Sequence, residues 1–172
     1  MPKEPYRLYR CIPTTGTFRG EFFTCARPGR SREPLVKSVP DDWVDAWVKG
    51  LPCTGPIAIV SLLGWKANGR SEFSFYSFRG SAEETERPDR PTFQQWLDVR
   101  YGKGRYRVIE FPTTDTKVVS SELLSRVGRT ILSLLHGGET VVLMDSGGFS
   151  RTGAVCRFIG FLRQESAPNV KR

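Results

Sequence analysis

The most informative stretch of the 172-residue chain is Val141-Val142-Leu143-Met144-Asp145-Ser146-Gly147-Gly148-Phe149-Ser150-Arg151-Thr152-Gly153. Its apolar beginning has the length of a buried strand, its middle is a turn of small residues, and its end opens an amphipathic helix. In such a strand–turn–helix, successive backbone N–H groups of the turn converge on one point, where the helix dipole adds positive potential. The stretch therefore predicts a loop that binds an anion.

Three residues support this prediction. Arg151 stands where the helix begins, and its planar guanidinium suits a phosphate held by two parallel hydrogen bonds. Gly147 and Gly148 permit the close backbone approach and the unusual φ angles that such a turn needs. We therefore expect the phosphate-binding residues to be Ser146, Gly147, Gly148, Phe149, Ser150 and Arg151.

The same stretch resembles the signature loop of the cysteine-dependent protein tyrosine phosphatases, in particular their compact dual-specificity branch. That signature is His-Cys, five variable residues, Arg, then Ser or Thr, usually followed by Gly. The residues that match it are Ser146, Gly148, Arg151, Thr152 and Gly153. Six residues before Arg151, however, the position of the catalytic cysteine holds Asp145, and Met144 stands in the place of the histidine. The anion-binding loop is kept and the nucleophile is missing.

The resemblance implies catalytic roles for four residues. Arg151 would hold the phosphate, Thr152 would supply the hydroxyl that assists the thiolate, and Asp145 occupies the position of the nucleophile. Asp115, in the loop between a strand and a helix, matches the aspartate that protonates the leaving oxygen. From the residues alone, Asp115 is a turn or capping residue; the resemblance favours the general acid.

Asp145 is not a simple substitute for a thiolate. Its charge repels a phosphate, because two unit charges about 4 Å apart at an effective dielectric constant of about 20 oppose each other by roughly 4 kcal/mol. Its carboxylate can instead accept hydrogen bonds from the N–H groups of the loop and from Arg151, as an internal anion. Ser146 is no replacement nucleophile, since it lies one residue too close to Arg151 and has no neighbouring histidine.

Two functions follow from the resemblance. The first is a pseudophosphatase, a phosphatase-fold protein without activity that binds a phosphorylated protein, another phosphoryl ligand or a protein surface as a regulatory module. The alternative is an active tyrosine or dual-specificity phosphatase whose catalytic cysteine has been replaced by Asp145.

Outside the loop, the chain alternates predicted helices with predicted strands. Helices are predicted at 40–50, 92–100 and 121–136, with a last helix from Thr152 that buries Val155, Phe158, Ile159 and Leu162. Strands are predicted within 1–34 and at 57–63, 106–111 and 139–144. The alternation is typical of an α/β fold with a mostly parallel central sheet flanked by helices. We expect one domain over 1–172, with a core of about 25–165 and a tail at 166–172.

The stretch 64–91 is an insertion that the resemblance does not require. Asn68-Gly69 lies between two β-prone runs, which predicts a hairpin. The second run is aromatic and contains Phe73, Phe75, Tyr76 and Phe78. Residues 80–91 are charged and interrupted by proline, which predicts a mobile surface loop. Whether the insertion forms a partner-binding surface stays open.

The composition indicates a globular protein with a basic surface. Lys and Arg number 26 against 18 Asp and Glu, a net charge of +8. This excess is either a solvated basic surface or an attraction for acidic and phosphorylated partners. Nucleic-acid binding is not favoured, because no stacking motif is visible. No apolar run reaches the length of a membrane span and no signal-peptide core follows Met1, so we expect no membrane partner and a cytoplasmic location.

Neither a metal nor a cofactor is expected. The chain has one histidine and four scattered cysteines without a Cys-x-x-Cys pair, so the usual spacing of metal ligands is missing. We interpret the four cysteines as reduced, mostly structural thiols: Cys11, Cys25, Cys53 and Cys156.

Overall fold

A computed structural model describes residues 8–30, 38–52, 55–115 and 117–165. Within these residues, six strands form one sheet and four α-helices pack on it. The strands are β1 (Leu8–Pro13), β2 (Phe22–Ala26), β3 (Ile57–Ser61), β4 (Tyr106–Glu110), β5 (Thr140–Asp145) and β6 (Phe161–Glu165). The helices are α1 (Asp41–Lys49), α2 (Phe93–Tyr101), α3 (Ser121–His136) and α4 (Ser150–Phe158). The predicted tail at 166–172 lies outside the described residues.

The sheet has the strand order β4-β3-β5-β2-β1-β6. The pairs β4·β3, β3·β5 and β5·β2 are parallel, whereas β1 is antiparallel to both β2 and β6. The predicted α/β class with a helix-flanked sheet is confirmed. The sheet is nevertheless mixed, which corrects the expectation of a mostly parallel one. The physical reason is that β1 and β2 are joined directly as a hairpin, with no crossover helix between them.

The central strands are buried on both faces because helices cover both sides of the sheet. In β3, Ile57 and Ile59 pack with α1 and α2, while Ala58 and Val60 pack with α3 and α4. Every residue of β3 and of β5 is buried. Continuous apolar runs in the sequence are the direct consequence of this two-sided burial.

Two helices, α2 and α3, begin at residues whose side chains cap them, whereas α1 and α4 have no side-chain cap at their first turn. The Ser120 side chain accepts the Leu123 N–H at 3.2 Å at the start of α3, and Gly137 follows its last residue. Thr92 and Gln95 form a capping box at the start of α2. No helix among the described residues is long and apolar enough to cross a membrane.

The predicted hairpin in the insertion is limited to its turn and one antiparallel bridge, between Trp65 and Ser71. The Lys66 N–H donates to the Arg70 carbonyl at 2.7 Å around Asn68-Gly69, but residues 64–91, all of them described, contain no strand. The aromatic run turns inward, and Phe78 stacks on Phe93 of α2 with ring centroids 4.5 Å apart. Burial of aromatic rings beneath α2 therefore prevails over strand pairing. The predicted surface loop at 80–91 includes a short 3-10 helix, Ser81–Glu83.

The predicted last helix is too long. Gly160 has a φ of 72°, which turns the chain after α4 and starts β6. Leu162 consequently lies on β6 and is 63% exposed, and Phe158, the last residue of α4, is 50% exposed. Val155 is buried as expected.

The sheet brings the carboxyl ends of its parallel strands to one edge. Asp145 at the end of β5 is paired with Ala26 of β2, and its neighbour Met144 is paired with Ser61 of β3. Crevices outside the carboxyl ends of parallel strands are where open α/β sheets bind ligands. The loop between β5 and α4 leaves the sheet at this edge.

Candidate functional site

The loop 146–149 has the strand–turn–helix geometry that the sequence predicts, between β5 and α4. Its tightest point is Gly148, with a φ of 74°. A Cβ atom at Gly148 would lie 2.5 Å from the backbone nitrogen of Ala26. The Asp145 carbonyl also accepts the Arg27 N–H at 2.8 Å. The loop is therefore held against the end of β2.

The Asp145 side chain lies inside this loop and is satisfied by it. Asp145 is 1% exposed. One carboxylate oxygen accepts the Gly148 N–H, and the other accepts the Thr152 N–H at 2.9 Å. Thr152 lies in the first turn of α4, where backbone N–H groups have no intrahelical acceptor and the helix dipole favours a negative charge. The carboxylate thus takes the place of an anionic ligand for two of the donors.

Arg151 is turned into the protein, towards a carboxylate of the insertion. Its two terminal nitrogens donate to the two carboxylate oxygens of Glu72 at 2.8 and 2.9 Å. One of them also donates to the Leu62 carbonyl at 3.1 Å and to the Thr113 hydroxyl at 2.8 Å. Burial opposes the charged guanidinium, but the hydrogen bonds and charge of Glu72 prevail and raise the pKa of Arg151. Glu72 therefore accepts the two parallel hydrogen bonds of the Arg151 guanidinium that a phosphate would need.

Sequence reasoning missed Glu72, which is the principal partner of Arg151. The Glu72 side chain is 1% exposed, and a second contact fixes it, because it accepts the Gly64 N–H at 2.9 Å. A signal was present, since Glu72 is the single charged residue between Ser71 and Phe78. A carboxylate in a run of aromatic residues that are themselves buried has to be paired.

Asp115 is the second carboxylate beside Arg151. Its Oδ1 atom lies 3.2 Å from Nη2 of Arg151, and its side chain is 33% exposed. The Asp115 N–H donates to the Trp65 carbonyl at 2.6 Å, so the loop after β4 is joined to the insertion. The structure therefore brings the predicted general acid and the predicted phosphate fork together, although they are distant in sequence.

Thr152 contributes its backbone N–H to the loop. It is fully buried, and its backbone N–H binds Asp145. Its hydroxyl oxygen has no hydrogen-bond partner among the described residues. The expected hydrogen bond from Arg151 to Asp145 is not formed either, since the described hydrogen bonds of Arg151 go to Leu62, Glu72 and Thr113.

The outer side of the loop is aromatic and cationic. Phe149 is 60% exposed and meets the Tyr9 ring edge-on at 5.4 Å. The Arg163 guanidinium lies 4.8 Å from the Tyr9 ring centroid and 5.0 Å from that of Phe149. It also donates to the carbonyls of Gly148 and Phe149. Arg163 on β6 is thus a further residue that shapes the loop and that sequence reasoning did not identify.

The remaining predicted loop residues differ in accessibility. Ser146 is buried, Gly147 is partly buried and Ser150 is exposed. Among the described residues, no group of three or more histidine, cysteine, aspartate or glutamate side chains is placed to hold a metal ion. Within the site, the N–H groups of Gly148 and Thr152 and the guanidinium of Arg151 are each paired with a protein carboxylate.

Comparison of the chain with protein-family models, with curated proteins and with solved structures gives no match.

Proposed function

We propose that this chain is a pseudophosphatase, a phosphatase-like protein that does not hydrolyse phosphate esters and works as a binding or regulatory module for a phosphorylated protein or another phosphoryl ligand. The observation that carries the proposal is the Asp145 carboxylate, which accepts the N–H groups of Gly148 and Thr152 inside the loop. A carboxylate bound in this way has no thiolate chemistry to offer and fills the position from which a cysteine would attack.

The loop N–H groups and Arg151, which would bind phosphate, already have acceptors in the chain itself. Asp145 accepts two of the loop N–H groups, and Glu72 accepts both hydrogen bonds of the Arg151 guanidinium. A phosphoryl group entering the loop meets the Asp145 charge at an estimated cost of roughly 4 kcal/mol. This repulsion corresponds to up to about a thousandfold in affinity. We therefore expect weak binding of free phosphate, and partner selection by the protein surface around the loop.

The net charge of +8 supports an acidic or phosphorylated partner. A basic protein attracts such partners from a distance and accelerates their encounter. Phe149 is the apolar side chain that the loop itself presents to solvent. A partner that reaches the loop would contact this ring and the Arg163 guanidinium that packs on it.

The proposal is tested by hydrolysis of a generic aryl phosphate with a chelator present. We expect the rate of the wild-type chain to equal that of buffer and of Asp145→Ser prepared in the same way. The variant controls for contaminating phosphatase, which would raise both rates equally. Robust metal-independent turnover that is present in the wild type and absent from Asp145→Ser would overturn the proposal.

One observation favours the alternative of an active phosphatase with a replaced cysteine. The Asp115 carboxylate lies 3.2 Å from Arg151, so the general acid and the phosphate fork of the resemblance are side by side. Restoring a thiol at position 145 tests whether the residues around the loop can support catalysis once a nucleophile is present.

A further inference from the structure

Two buried thiols face each other on the side of the sheet that α3 and α4 cover. Cys11 of β1 and Cys156 of α4 have their Sγ atoms 3.7 Å apart. They are 4% and 1% exposed. A disulfide bond places the sulfur atoms about 2.0 Å apart, so a small movement of the two side chains closes the pair. The fold, not the sequence, creates this pair, since 145 positions separate the two residues.

The surroundings make the two thiols unequal. The pKa of Cys11 is lowered by the hydrogen bond with Cys156 and, against its burial, by the Thr24 hydroxyl and the charge of Arg163. The pKa of Cys156 is raised by its hydrogen bond with Cys11 and by burial. The thiolate is the nucleophilic form of cysteine. Because the Thr24 hydroxyl oxygen lies 3.9 Å from the Cys11 sulfur, we assign Cys11 as the attacking sulfur and Cys156 as the resolving one.

Cys25 gives an internal comparison. It is 1% exposed, like Cys156. Burial, followed by the Asp145 charge, raises the pKa of Cys25. Its environment therefore suppresses the thiolate that oxidation requires. Equal burial with a different neighbourhood makes Cys25 the matched control.

We propose that Cys11 and Cys156 are an oxidisable thiol pair that hydrogen peroxide converts to an intramolecular disulfide. The Cys11 thiolate attacks one peroxide oxygen, the O–O bond breaks, and the leaving hydroxide takes a proton to become water. The Cys156 sulfur then attacks the resulting Cys11 sulfenic acid, and its proton leaves with the hydroxyl as a second water. Two thiols and one peroxide give one disulfide and two waters, and a dithiol reverses the change.

The disulfide would act on the helix that carries the loop. Cys156 lies four residues after Thr152, about one helical turn away, and the Thr152 N–H holds the Asp145 carboxylate. Oxidation would join α4 covalently to β1, whose Tyr9 packs against Phe149 of the loop. Because β1 pairs with the edge strand β6, a local opening at this edge gives a small oxidant access. The pair does not depend on the proposed function of the loop.

The test is peptide mapping of the reduced full-length chain after treatment with a hydrogen peroxide series. Excess peroxide is quenched, the chain is unfolded in an alkylating reagent, and it is digested without reductant. We expect a linked peptide joining Cys11 to Cys156, with Cys25 recovered as alkylated thiol, and we expect a dithiol to abolish the link. Recovery of both Cys11 and Cys156 as alkylated thiols, or predominant links to other cysteines, would overturn the proposal.

Variants provide a second readout that does not use the linked peptide. In Cys156→Ala, Cys11 should stop at the sulfenic acid, which a dimedone-type reagent labels, and in the wild type this label should be weak. Peroxide should raise the melting temperature of the wild type and of Cys25→Ala, because a cross-link over a long chain segment restricts the unfolded state. It should not raise that of Cys11→Ala. Should an alanine variant fail to fold, the wild-type map alone decides.

Discussion

At the residue scale, the site is defined by two carboxylates that pair with loop N–H groups and with Arg151. Asp145 binds backbone donors of the loop, and Glu72 binds the guanidinium of Arg151 through both oxygens. Unpaired buried donors are costly, so the inward-facing donors of the loop and Arg151 need acceptors. Asp145 accepts two of the loop N–H groups, and Glu72 accepts the guanidinium of Arg151.

Replacing Asp145 by serine should therefore free the N–H groups of Gly148 and Thr152 for an external anion. Asp145→Ser should strengthen the binding of phosphate, sulfate or tungstate, because the negative charge that repels them is gone. The same change should lower the free energy of unfolding without ligand by about 1–3 kcal/mol, since charged hydrogen bonds are lost. Thermal melts of the wild type and the variant, each over a phosphate series, measure both effects.

The control for this experiment is Asp42→Ser, which removes an exposed carboxylate from α1. It changes the net charge by the same amount and leaves the loop untouched, so its phosphate response should equal that of the wild type. An Asp145→Ser response no larger than that of Asp42→Ser would mean that Asp145 does not exclude oxyanions from the loop.

Glu72 should contribute far more to stability than an exposed carboxylate in a similar ion pair. Glu72→Gln leaves the Arg151 charge buried with a weaker partner, and removing one member of a buried pair costs about 3–5 kcal/mol. Glu139→Gln is the matched control, because Glu139 pairs with Arg107 at 2.7 Å on the surface and exposed pairs contribute less than about 1 kcal/mol. Urea unfolding of both variants gives the comparison. Equal losses would show that Glu72 is not the principal anchor of Arg151.

At the scale of the element, the turn between β5 and α4 depends on one of its two glycines. Gly148→Ala places a side chain at a φ of 74° and brings its Cβ within 2.5 Å of Ala26. The left-handed conformation alone costs about 1–2 kcal/mol, and the clash adds to it. At Gly147, a Cβ would meet nothing within 4 Å. We expect Gly147→Ala to stay within about 0.5 kcal/mol of the wild type.

Chemical denaturation of the two alanine variants measures this difference. A second measurement, hydrogen exchange at the Gly148 and Thr152 amides, reports on the hydrogen bonds to Asp145. Exchange should accelerate at residue 152 in Gly148→Ala and stay unchanged in Gly147→Ala. If both variants are equally stable and equally protected, the turn does not need a left-handed residue at position 148.

The elements that the sequence predicted well are those whose own residues determine them. The continuous apolar run of β3 and the capped, amphipathic α3 carry their structure in local patterns. The hairpin around Asn68-Gly69 stays limited to one bridge, because the aromatic residues that follow it are buried beneath α2 instead of pairing as a strand. The strand β6 was missed because the apolar spacing continues through Gly160, and pairing with β1 overrides it.

At the scale of the molecule, the site is assembled from segments that are distant along the chain. Arg151 follows β5, Asp115 follows β4, and Glu72 belongs to the insertion after β3. The strand–turn–helix of the loop could be predicted because one stretch encodes it. The ion pair between Arg151 and Glu72 could not be predicted from the sequence. It depends on how the insertion folds over the carboxyl edge of the sheet, and no local pattern specifies that contact.

The final prediction tests whether this assembly supports catalysis once a thiol is supplied. Asp145→Cys removes the internal anion and supplies a thiol at the helix N-terminus, where thiolates are stabilised. We expect measurable hydrolysis of an aryl phosphate. Its rate should be limited because Met144 stands in the position of the histidine and because Arg151 is already hydrogen-bonded to Glu72. Asp145→Ser, which has the loop without the thiol, should remain inactive under the same conditions.

The role of Asp115 as general acid is tested in the Asp145→Cys variant. In Asp145→Cys with Asp115→Asn, the leaving oxygen loses its proton donor, and general acid catalysis contributes about a hundredfold or more. The loss should be largest for a substrate with a poor leaving group and small for an activated aryl phosphate, because a good leaving group departs without a proton. This dependence on the leaving group separates a general acid from a residue that only pairs with Arg151. If Asp145→Cys is active and Asp115→Asn leaves the slow substrate unaffected, Asp115 is not the acid, and its ion pair with Arg151 at 3.2 Å is structural.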